Sequence, residues 1–77
     1  MNKMNKVFNS GDLVYIPSEV LLYSLGEDES ISGWIKLSSP QNLLVTRVHE
    51  KYYEVYYKDE KWMVDKDKTY EVKNEFN

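Results

Sequence analysis

An all-β domain, built as a small barrel of five or six short antiparallel strands, is what this sequence predicts. Three observations carry the prediction. Apolar and polar residues alternate in short runs bounded by Gly, Pro, Ser, Asn and Asp. The later runs are joined by very short polar turns, as hairpins require, while one long loop lies early in the chain. No tandem repeat, heptad or sustained helical stripe competes, and a sheet of this size must curl and close to hide its edges.

Residues 1–10 are polar and read as a flexible segment in which only Val7 and Phe8 can anchor. Ser10-Gly11-Asp12 is turn chemistry, with a glycine free to take positive φ. Leu13-Val14-Tyr15-Ile16 is the first strand, Val14 and Ile16 inward and Leu13 and Tyr15 on the other face, and Pro17 stops it. Ser18 to Leu25 admits a helical turn capped by Ser18, but the short distance from Pro17 to Gly26 favours an extended segment running into a long loop. Gly26 to Gly33 is that loop, carrying Glu27-Asp28-Glu29. Val20–Leu25 and Trp34–Leu37 then form the arms of an irregular hairpin.

Ser38-Ser39-Pro40-Gln41-Asn42 breaks the chain before its clearest half. Leu43–Glu50, Tyr52–Lys58 and Lys61–Val64 are strand-type runs, with Asp59-Glu60 as a tight hairpin turn. Asp65–Lys68 is a single polar turn, and Thr69–Val72 returns as a short closing strand with Tyr70 and Val72 inward. The expected core set is Tyr53, Val55, Tyr57, Trp62, Val64, Tyr70 and Val72. Residues 11–72 therefore make the domain, and residues 73–77 are a frayed tail.

The 77 residues leave room for one core. Without cysteine there is no disulfide, thiolate zinc site or cysteine nucleophile, so dense packing must hold a domain that buries only roughly 60% of its unfolded surface. Two tryptophans, seven tyrosines and two phenylalanines supply that packing. Ten basic against thirteen acidic side chains give a net charge of −3, which argues against a general polyanion binder. No apolar run reaches the length of a membrane span, and Met1 to Lys6 lacks the apolar core of a signal peptide, so a cytoplasmic location is expected.

Gly11-Asp12-Leu13-Val14-Tyr15-Ile16-Pro17 resembles the opening strand of SH3-like barrels, including their KOW-type and translation-protein relatives. Tyr53 to Val64 resembles the distal hairpin of that fold. Asp65–Lys68 followed by Thr69–Val72 resembles its short 3₁₀ turn and closing strand. The resemblance covers roughly residues 11–72 and implies a fold rather than a ligand. No ALYDY-like segment is present, Val20–Tyr23 only partly imitates one, and the chain is acidic where ribosomal KOW domains are basic. The chain is also similar to small uncharacterised proteins of tailed bacteriophages that pair a "GDLVYIP" opening with a "KWMVDKDKTYEV" ending. That likeness implies an accessory factor acting on host or viral machinery, in the host cytoplasm.

The chemistry-bearing residues form no catalytic constellation. His49, the sole histidine, reads as a solvated strand residue, although Glu50 and Glu54 are near enough in sequence to orient it. Glu27-Asp28-Glu29 lacks the ligand alternation of a calcium loop and reads as a solvated tip. The glycines fit no phosphate-cradling pattern. No enzyme, cofactor or metal is expected.

The aromatic surplus is the informative feature. Tyr15, Tyr23, Trp34, Tyr52 and Tyr56 are left for the surface, where rigid amphipathic rings serve as binding hot spots. The competing view is that cross-strand tyrosine pairs stabilise a sheet face. A non-enzymatic protein-interaction module with an unidentified protein partner is thus the leading expectation. A single-stranded nucleic-acid binder is the alternative, with Lys36, Arg47, Lys51, Lys58 and Lys61 holding the backbone beside stacked bases, against interleaved Glu50, Glu54, Asp59 and Glu60. A virion or assembly component, self-associating through an open strand edge, is third.

Overall fold

The computed structural model describes residues 7–72. They form one antiparallel sheet of seven strands: β1 (Leu13–Ile16), β2 (Leu21–Leu25), β3 (Ile31–Lys36), β4 (Gln41–Val48), β5 (Tyr52–Tyr57), β6 (Glu60–Asp65) and β7 (Tyr70–Glu71). A 3₁₀ turn over Lys66–Lys68 links β6 to β7, with Thr69 closing it through Oγ1 on the Lys66 carbonyl at 2.7 Å. The spatial order is β3-β2-β6-β5-β4-β1-β7, and no pairing joins β3 to β7, so the sheet is open. The all-β class holds. Seven strands stand where five or six are expected, and the expected short closing strand pairs with β1.

One face of the sheet makes the core. Val14, Ile16, Leu22, Leu37, Leu43, Val45, Tyr53, Val55 and Val64 are buried there together with Phe8. Alternation explains most of it: Val14 and Ile16 face in from β1, and Leu43 and Val45 face in from β4, each pair two residues apart. Tyr57 and Trp62 are half-buried against this cluster. Phe8 lies in the segment expected to be flexible, yet its ring meets Tyr53 edge-on at 5.9 Å and its N–H donates to Tyr53 Oη at 3.1 Å. Residues 1–6 and 73–77 lie outside the described residues.

Tyr70 corrects the sequence expectation. It stands opposite Tyr15, and cross-strand partners share a face, so Tyr70 points outward with Tyr15 and is exposed. The late hairpin also turns one residue earlier than expected. Tyr57 pairs with Glu60, and Lys58 and Asp59 are the two loop residues, both with positive φ (52° and 65°). That backbone matches the strand twist of a tight hairpin, although neither residue is glycine. β4 begins two residues earlier than expected and ends at Val48, leaving His49 in the loop to β5.

Candidate functional site

The outer face of the sheet carries the aromatic candidates and divides them. On β5, Tyr52, Glu54 and Tyr56 alternate outward. Glu54, between the two tyrosines, accepts a 2.8 Å bond from Thr46 Oγ1 and lies 3.9 Å from Lys61 Nζ. Thr46 sits in the β4 bulge between Val45 and Arg47, which brings both it and Arg47 against Glu54. This polar seam separates two apolar patches.

The first patch runs across β1, β4 and β5. Leu13 stands opposite Leu44 and Leu44 opposite Tyr56, and the three are 52%, 42% and 45% exposed. Beside it, half-buried Tyr15 and exposed Tyr70 face each other and line a groove of about 690 Å³ with Pro17, Pro40 and Val72. Each of the three is about half exposed, so covering the row would gain only a part of the roughly 1.5–3 kcal/mol that full burial of a large apolar side chain is worth.

The second patch lies on β2 and β3. Trp34 stands opposite Tyr23, which pairs in turn with Met63 of β6. Tyr23 meets Tyr52 edge-on at 6.2 Å, and Tyr52 stacks on His49 at 4.5 Å. The Tyr23 hydroxyl donates to Asp65 Oδ1 at 3.0 Å, and burial followed by this carboxylate pushes the phenol's pKa well above its ordinary value. Leu21, Tyr23, Ile31, Asp65 and Lys68 border a second groove of about 660 Å³. Of the five aromatic candidates, then, Trp34 and Tyr56 are exposed, while Tyr15, Tyr23 and Tyr52 are half-buried and partly engaged with neighbours. Leu13 is exposed on the outer face as expected, while Leu21, Ile31 and Leu44 are exposed apolar residues that sequence reasoning missed. The outward phase of Leu21 and Leu44 is the signal that could have found them, whereas Ile31 shares the phase of inward Ile35 and is turned outward only by the bulge at Ser24/Leu25.

His49 is half-buried rather than fully solvated. Its imidazole is packed on Tyr52, its Nε2 is buried without a hydrogen-bond partner, and its backbone N–H donates to the Tyr52 carbonyl.

The basic residues do not gather. Lys36 lies 3.6 Å from Glu19 and Lys61 lies against Glu54. Lys58 sits 5.4 Å from the ring of its neighbour Tyr57 in the β5–β6 turn, whereas Lys51 is at the opposite end of β5. Arg47 stands opposite Glu54. Lys36, Arg47 and Lys61 thus each face a carboxylate, and Lys51 and Lys58 lie at opposite ends of β5.

In the acidic loop, Asp28 is occupied: its Oδ1 accepts from Ser30 Oγ at 2.7 Å and from Ser30 N–H at 3.1 Å. Those bonds hold its carboxyl below the usual carboxylate range, the hydroxyl contributing most. No group of three or more metal-ligating side chains occurs among the described residues, and no helix there is long and apolar enough to cross a membrane. Comparison with family models, with curated proteins and with solved structures gives no match.

Proposed function

We propose that the chain is a non-enzymatic protein-interaction module built on an SH3-like barrel, docking a partner on the outer face of β1, β4 and β5. The observation that carries this reading is the row Leu13–Leu44–Tyr56, three exposed apolar side chains in register on adjacent strands. Tyr15 and Tyr70 extend the row toward the sheet edge. Patches of this kind on a small domain mark protein contacts.

What supports the barrel is the connectivity. An opening strand, a tight β5–β6 hairpin, a single 3₁₀ turn and a short closing strand beside the first follow in the order the resemblance implies. The likeness to phage accessory proteins makes a host or viral protein the partner to seek, which the module would modulate or inhibit. The scattered, acid-paired lysines give no support to a nucleic-acid face.

The test is capture from host lysate, with and without nuclease and salt. Wild-type protein should retain one protein at near-equal stoichiometry, and Tyr56→Ala or Leu44→Ser should lose it while circular dichroism stays unchanged. Retained material that disappears with nuclease would replace this reading with nucleic-acid binding.

A further inference from the structure

The β3 end of the sheet raises a separate question. β3 pairs only with β2, and among the described residues no strand lies on its other side. Leu37, just past β3, donates its N–H to the Val20 carbonyl and accepts from the Glu19 N–H, so its backbone groups point toward β2. By the alternation of an antiparallel ladder, those of Lys36 and Trp34 point the other way, into the open. The edge Gly33–Lys36 has no proline and no inward charge, although Lys36 and the bulge at Ser24/Leu25 confine regular pairing to this short segment. It carries Trp34, 63% exposed, and the same bulge brings Ile31, 60% exposed, opposite Leu25.

We propose that this edge is the seam of a symmetric homodimer, β3 pairing antiparallel with β3 of a second copy about a two-fold axis at Trp34. An isologous contact needs a self-complementary edge, and this one is. With Trp34 opposite Trp34, the outward N–H and carbonyl of each find a partner and the two indoles meet on one face. Lys36 of one copy then falls opposite Ser32 of the other, next to the acidic tip that bears Glu27 and Glu29. Charge complementarity favours a second copy as the occupant: an antiparallel duplicate sets the lysine at one end of each edge toward the acids at the other. The Lys36–Glu19 contact does not prevent this, because both side chains are largely exposed and such pairs are weak. The seam lies away from Leu13, Leu44 and Tyr56, so the dimer does not depend on the docking surface proposed above.

Sedimentation velocity over a concentration series up to about 1 mM decides it, a range that detects even weak association. The expected result is a mass rising from 9.2 kDa toward twice that value. Trp34→Lys should raise the dissociation constant by about tenfold or more, as loss of a central aromatic anchor does. Lys36→Glu should weaken association, and Lys36→Glu combined with Glu27→Lys and Glu29→Lys in the same chain should restore it. These charge changes sit on exposed side chains, so they report even where Trp34→Lys fails to fold. Tyr56→Ala should leave association unchanged. A monomer at every concentration overturns the proposal, as does a dimer indifferent to both the tryptophan and the charge substitutions.

Discussion

The Tyr23 hydroxyl donates to Asp65 Oδ1 at 3.0 Å, tying β2 to the end of β6 across 42 residues of sequence. Only one backbone register pair, Tyr23 with Met63, joins those strands. The side-chain bond adds to the attachment of the β2–β3 hairpin, which otherwise rests on burial of Leu22 and Leu37 in the core.

Tyr23→Phe should cost about 1 kcal/mol at neutral pH, a charge-assisted bond reduced by partial exposure to solvent. Burial and Asp65 raise the folded-state pKa of the phenol above its ordinary value of 10. The unfolded chain ionises first, so the stability this group contributes is complete below that value and declines as pH rises beyond it. The gap in urea midpoint between wild type and Tyr23→Phe should therefore narrow above pH 10.

Removing the Tyr53 hydroxyl leaves the buried Phe8 N–H without its acceptor. Tyr53→Phe should cost about 1–3 kcal/mol. Phe8→Ala empties a core position and should cost about 3–5 kcal/mol. Equilibrium denaturation should show a lower midpoint with an unchanged slope in both cases.

The Lys58–Asp59 turn holds two non-glycine residues at positive φ. Replacing the pair by Asn-Gly supplies residues that adopt this conformation at little cost. Stability should rise by about 1 kcal/mol, seen as a melting temperature roughly 4–8 °C higher.

Asp28 is expected to report acid unfolding of the loop tip. Its bonds from Ser30 lower its folded-state pKa below the ordinary 3.8, so its contribution is present above that value and is lost as pH falls through the folded one. Ser30→Ala should move the Asp28 carboxyl titration upward in NMR and speed amide exchange at Ser30.

The strand interiors were legible from sequence because burial imposes period-two alternation on them. Val14, Ile16, Tyr53, Val55 and Val64 all fall inside as the pattern requires. What escaped was phase at the edges and partnership at a distance. Two alternating residues at Tyr70–Glu71 cannot announce which faces in, since only the pairing with Tyr15 decides it. Phe8 reads as one of two possible anchors in a polar segment, and nothing local names Tyr53 as its neighbour. The aromatic surplus was legible as a surplus, but the seam through Thr46, Glu54 and Lys61 that splits it depends on a bulge in β4. Spacing does not encode that bulge.

The contact between Phe8 and Tyr53 also bears on the order in which the chain assembles during synthesis. Phe8 leaves the ribosome first and waits while the 45 residues up to its ring partner are added. β1 must wait in the same way for β4 and then for β7, whereas β4, β5 and β6 pair with close sequence neighbours as soon as they emerge. Local pairings form sooner than those requiring long loops to close. The meander of β4, β5 and β6 is then the template onto which β1 and the β2–β3 hairpin dock. Strand β7 adds to β1, and Phe8 seals the interior against Tyr53.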